Sequence, residues 1–196
     1  MGYTGFERLW LFFAFSFFGW VLETVTAAVR QRRFVNRGLV NGPFCVLYGI
    51  TGTAMLVVCR ELHGIWLFLG SMIFSTLAEW IAGHVIERMY HERWWDYSHM
   101  KWNLDGYICV PVSIVWGVLG AATMRWGAPV LVRVFRMLPR TPGHLIVWIL
   151  AAVLAMDVTA TLCILSGRSR RIRQWEGVDS WLTGVSSRLE RKIYGW

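Results

Sequence analysis

The chain has 196 residues, of which 56% are hydrophobic and only 16% charged. A soluble domain runs at roughly 45–50% apolar and about 25% charged, so an ordinary water-facing surface is excluded. The net charge of +8 flanks apolar runs rather than striping a soluble face, which excludes nucleic acid as the expected partner.

A transmembrane helix needs about 20 predominantly apolar residues. In chain order, apolar segments at 9–29, 44–59, 64–86, 107–124 and 144–166 predict an all-α, polytopic membrane helix bundle of about five transmembrane helices, occupying residues 1–166. The first segment is too long for a cleavable signal, and Glu23 stands where such a signal is apolar. The segment at 44–59 is short; either 41–43 extend it or it runs as a buried helix. The 13 Trp suit the headgroup zone, where an indole keeps its ring apolar and its N–H wet.

Two stretches read as amphipathic. Residues 126–138 place Val130, Leu131, Val134, Phe135 and Leu138 on one helical face and Arg133 and Arg136 on another, as an interfacial segment. Residues 167–196 form a basic cytoplasmic tail whose stripe is Val178, Trp181, Leu182, Val185 and Leu189. Such helices lie on lipid, dock on a partner or pack on their own protein. Fourteen Lys and Arg fall after the first, third and fifth spans, against six on the opposite side. The positive-inside rule then predicts N-out, C-in. Cys45, Cys59, Cys109 and Cys163 show no C-x-x-C spacing and predict neither disulfide nor zinc.

A carboxylate inside a span costs roughly 2.5–3.5 kcal/mol on insertion scales, so it needs a partner or water. Glu23 shares a helical face with Ser16, Gly19, Trp20, Thr26, Ala27 and Arg30, and Glu79 shares the row Ser71, Ser75, Glu79, Gly83, Glu87. Both rows are small and polar and should face the bundle. Two loops lie on the same predicted side. One carries Asn36, Arg37 and Gly38 before Asn41-Gly42-Pro43; the other carries Trp94-Trp95-Asp96-Tyr97-Ser98 before Asn103, Asp105 and Gly106. Glu23, Asn36, Arg37, Glu79, Glu87, Trp95, Asp96, Tyr97 and Asn103 are therefore the candidate substrate-binding residues. Glu23, Glu79 and Asp96 are candidate ligands of a divalent cation, which binds through oxygens. Asp157, the deepest acid, either joins this cluster or meets a neighbouring backbone. No nucleophile elbow, P-loop, H-E-x-x-H or dinucleotide fingerprint is present, which argues against hydrolytic ATP chemistry in this chain and leaves open an enzyme built from scattered carboxylates.

Phe18-Gly19-Trp20 with Glu23, Asn36-Arg37-Gly38, Asn41-Gly42-Pro43-Phe44-Cys45, Tyr48-Gly49, Glu79, Glu87, Trp94-Trp95-Asp96-Tyr97-Ser98 and Asn103-Leu104 together resemble the putative ABC-transporter type IV family of small bacterial multi-pass membrane proteins. The resemblance implies a permease-like component of a bacterial inner membrane, with lipid around it and a separate ATPase subunit as partner. The expectation is a transport component binding a small solute, ion or lipid headgroup in an inner-facing polar pocket, as a monomer or homo-oligomer. The alternatives are an intramembrane enzyme acting on a lipid-linked substrate and an accessory or assembly protein.

Overall fold

The computed structural model describes residues 2–32, 42–90 and 93–165. In chain order the elements are α1 (Gly5–Gln31), α2 (Val46–Val58), α3 (Gly64–Tyr90), a small antiparallel hairpin of β1 (Asn103–Leu104) and β2 (Ile108–Cys109), α4 (Val110–Ala122), a π-helical turn (Thr123–Gly127), α5 (Ala128–Met137) and α6 (Arg140–Leu165). Each of the five expected apolar segments is helical over most of its described length; residues 44–45 and 107–109 lie outside the helices. Among the described residues, four helices are long and apolar enough to cross a membrane: α1, α3, the continuous Val110–Met137 helix and α6. The 13 residues of α2 rise about 20 Å at 1.5 Å each, short of a hydrocarbon core of about 30 Å. Asn36, Arg37 and the tail helix expected in 167–196 lie outside the described residues.

Packing divides the chain into two units: Met1–Ala14 with Leu47–Leu138, and Phe15–Val46 with Pro139–Trp196.

The first unit begins with a capping box. The Thr4 N–H donates to Glu7 Oε2 at 2.8 Å, and the Glu7 N–H donates back to Thr4 Oγ1 at 3.3 Å. Two orphan donors of the α1 start are thereby satisfied. Glu7 also takes the Arg136 guanidinium at 2.7 Å, and Trp10 Nε1 donates to the Leu131 carbonyl at 2.9 Å while its ring stacks on Phe135. So the stretch expected as a separate interfacial segment continues span four and packs on its own protein. Of the apolar face, Phe135 is buried together with Ala128 and Val132, while Val130 and Val134 are 54% and 46% exposed. The apolar pattern does not separate the two because lipid-facing and protein-facing positions are both apolar. The π turn has a local cause: Pro129 has no N–H to continue the regular ladder, and the Ala128 N–H reaches back five residues to the Thr123 carbonyl.

α3 and α4 pack closely through small residues. A Cβ at Gly117 would fall 2.8 Å from Phe68 and Met72 side chains, and one at Gly120 would fall 2.9 Å from Met55 and Ser71. In lipid, close van der Waals contact of this kind drives helix association. Met55, Cys59 and Leu67 form the buried core beside it, with Leu62, Phe74, Ala121 and Met124 around them.

In the second unit, α1 buries Phe15, Ser16, Thr24 and Ala27, a stripe at helical spacing, and α6 buries Val147 and Thr161. Residues 42–45 are non-helical. Their backbone groups are met by the two helices: the Cys45 N–H donates to the Ser16 carbonyl at 2.8 Å, and the Gly42 N–H donates to Asp157 Oδ2 at 2.6 Å.

Candidate functional site

The polar residues expected at one site fall in both units. Glu79, Glu87, Trp95, Asp96, Tyr97 and Asn103 belong to the first, where the 93–109 loop folds back along the second half of α3. Glu23 belongs to the second, half-buried on the inward stripe of α1 beside buried Gly19, Thr24 and Ala27.

The loop folds because its turn residues suit a tight hairpin. Asp105 and Gly106 take left-handed φ values of 53° and 74° between the paired strands β1 and β2. Gly106 is required twice over. Its φ suits a residue without Cβ, and a Cβ there would fall 2.5 Å from Asp96 Oδ1 and 2.5 Å from Ser98 Oγ. Asn103 ties the hairpin: its Nδ2 donates to the Met100 carbonyl at 2.7 Å, and its Oδ1 accepts the Gly106 N–H at 3.1 Å. The Tyr97 N–H donates to the Gly106 carbonyl at 2.9 Å. Asp96 Oδ1 accepts both the N–H and the hydroxyl of Ser98.

This loop then clamps the face of α3 that carries Glu79, Gly83 and Glu87. The Tyr97 hydroxyl donates to Glu79 Oε1 at 3.1 Å, and the Tyr107 hydroxyl donates to Glu87 Oε2. Gly83 between them leaves room for aromatic rings, because a Cβ there would fall 2.6 Å from Tyr107 and 3.4 Å from Trp95. Trp95 Nε1 donates to the Tyr107 carbonyl at 2.9 Å. The His84 ring lies 4.0 Å from the Tyr107 ring, centroid to centroid. Arg93 closes the arrangement. Its Nε donates to both Glu87 oxygens at 3.2 and 3.3 Å, its Nη1 donates to the Asp105 carbonyl at 2.8 Å, and its guanidinium lies 4.6 Å from the Tyr107 ring centre.

The electrostatics follow from these partners. The Ser98 hydroxyl, then its N–H, hold the Asp96 carboxyl below its ordinary pKa, because both bonds favour the anion. The hydrogen bond to Glu87 raises the Tyr107 phenol, and Glu87 likewise raises Arg93. The whole is an alternating set of carboxylates, aromatic hydroxyls and one guanidinium at the end of a spanning helix. It can accept hydrogen bonds from a hydroxylated or cationic group, or hold one of its own cations in that place.

Several participants were not singled out from sequence. Tyr107 stood only as the start of a span, and Arg93 only as a topology charge; the Asp105-Gly106 turn that aims both was the available signal. Of the two futures open to Asp157, the structure shows the backbone one, at Gly42. Among the described residues no three His, Cys, Asp or Glu side chains gather as a metal site.

The model of one family, putative ABC-transporter type IV, matches residues 10–162. No curated protein and no solved structure is detectably similar to the chain. The match spans two of the four long helices, α3 and Val110–Met137, completely and most of α1 and α6, together with the whole 93–109 loop. This membrane protein belongs to the putative ABC-transporter type IV family.

Proposed function

We propose that the protein is the membrane component of a transport system and binds a small solute, ion or lipid headgroup at the α3 face carrying Glu79 and Glu87. One observation carries the reading. Glu79 lies in the middle third of a 27-residue apolar helix, and an aromatic loop outside that helix reaches back to it through the Tyr97 hydroxyl. An acid at that depth is costly, and an aromatic–carboxylate pair suits a hydroxylated or cationic guest. Family membership supports an ABC-type context, in which the ATPase is a separate chain. The positive-inside rule supports an N-out, C-in orientation in a bacterial inner membrane, with the site on the cytoplasmic side. A divalent cation is one candidate guest.

The test is a thermal-shift screen of small solutes, divalent salts and short-chain lipids against the purified chain, repeated with Glu79→Gln. A shift that Glu79→Gln abolishes supports the reading. A screen silent across all classes, with copurification of no ATPase, counts against it. The self-contained hydrogen bonds of Asp96 and Asn103 favour a second reading, an accessory protein whose loop is purely structural.

A further inference from the structure

α3 starts at Gly64, just after the exposed charges of Arg60 and Glu61. From there to Gly83 it rises about 28 Å at 1.5 Å per residue, close to a hydrocarbon core of about 30 Å. Gly83 therefore marks the far boundary of the core, and the 93–109 loop lies against it: a Cβ at Gly83 would fall 2.6 Å from the Tyr107 ring. The strand after Tyr107 runs directly into α4, so the loop and the start of that spanning helix share this depth. Asn103 pairs with Cys109, and the Trp102 carbonyl accepts the Val110 N–H at 3.1 Å, so Trp102 stands across from the first residue of α4. Val110 opens a row of exposed apolar residues one turn apart, Val110, Ile114 and Val118. On a helix that crosses the membrane, such a row faces lipid. Trp102 stands at the end of this row and is 76% exposed; Leu104, two residues on, is exposed as well.

The backbone of Trp102 is a second, independent observation. Its φ is 61°, a left-handed value that bulky side chains rarely adopt. Strain of this kind persists where the surroundings fix it, and it gathers at working positions. The hairpin bonds hold the backbone, but so exposed an indole gains little from the protein itself. At the headgroup boundary the same ring gains an apolar bed and its N–H a wet partner.

We propose that Trp102 and Leu104 insert into the bilayer at the headgroup–acyl boundary, and that this seat holds the 93–109 loop against α3, keeping Tyr97 on Glu79 and Tyr107 on Glu87. Phospholipid is the occupant because the surface continues the lipid-facing row of α4 at the depth where the hydrocarbon ends. The clamp over the two carboxylates then depends on the bilayer as well as on the loop's own hydrogen bonds.

The experiment uses the full chain in nanodiscs of mixed phosphatidylcholine and phosphatidylglycerol. Photoreactive benzoylphenylalanine takes the place of Trp102 or, as a lipid-facing reference, of Ile114. Ultraviolet light couples it to whatever lies beside it, and mass spectrometry identifies the adduct. Expected is a phospholipid adduct at position 102 in a yield similar to that at 114. An adduct to a second copy of the chain or to another protein, or no adduct, overturns the seat. Trp102→Gly then separates the seat from the hairpin's own stability. Glycine relieves the left-handed φ, so a loop held by its hydrogen bonds alone should exchange its amide hydrogens no faster than wild type. Loss of the seat should instead make the 93–109 peptides exchange several-fold faster in nanodiscs, with α3 and α4 still protected. Neither measurement needs a solute, so failure here is distinguishable from failure of the solute screen. Exchange no faster than wild type overturns the bilayer's hold on the loop.

Discussion

The Gly42 backbone N–H donates to Asp157 Oδ2 at 2.6 Å, tying a glycine–proline turn to an acid two-thirds of the way along α6. Backbone that leaves the helix at membrane depth is tolerated only when protein or water meets its polar groups. Asp157→Ala should therefore strand the Gly42 N–H and destabilise the protein by about 1–3 kcal/mol. Asp157→Asn retains a carbonyl acceptor and should lose less. Thermal unfolding in detergent orders the two variants, and equal losses would show that the bond matters little.

Glu79→Gln separates a binding acid from a structural one. Gln keeps the shape and can still accept from Tyr97, now at Oε1 without charge. If the charge held a buried cation in place, removing it would cost roughly 3–5 kcal/mol, a large share of a typical stability of about 5–15 kcal/mol. The proposed role predicts an unchanged or higher Tm with loss of the solute response. Glu23→Gln is expected to behave in the same way. A drop of many degrees in both variants would end the binding-site argument.

Gly106→Ala should loosen the loop. The left-handed backbone disfavours a Cβ, and that Cβ would press on Asp96 and Ser98. A destabilisation of at least about 1 kcal/mol is expected. Limited trypsin digestion should report it as faster cleavage at Lys101, with the helices still protected.

The Asp96 carboxyl predicts an acid-sensitive loop. Ser98 lowers its folded pKa, so the anion contributes stability that is complete above the unfolded value of about 3.9. That contribution fades as the pH falls through the lower folded value. Hydrogen exchange of the 93–109 peptides, corrected for intrinsic rates, should show protection falling below about pH 4. Asp96→Asn should show weaker protection with no such step.

Topology depends on the short second segment. The N-out, C-in arrangement needs residues 42–45 to help α2 make its pass. The helix supplies about 20 Å, and four residues add at most about 13 Å, enough for a core of about 30 Å. Labelling of single cysteines at the two termini in sealed vesicles should find them on opposite sides. Termini on the same side would make α2 a non-crossing helix.

The existence and order of the helices were legible in the sequence, because sustained apolar runs have no other stable fate in a membrane. The polar loop was legible too, although its tight turn at Asp105-Gly106, which carries the chemistry of a left-handed turn, was not read from it. So was the inward pointing of the row from Ser71 to Glu87, where small and polar residues recur every fourth position. What the tertiary structure alone decided was the choice of partners. Asp157 met Gly42, Glu79 met Tyr97, and Glu7 met Arg136, across separations of 115, 18 and 129 residues. It also chose Val132 over Val130 and Val134 as the packing face of α5. The physical reason is that hydropathy sorts residues between water and an apolar phase, but lipid and protein interior are the same phase by that measure. Which apolar face meets protein, and which buried polar atom meets which, is settled by shape and hydrogen-bond geometry, and neither is periodic in the sequence.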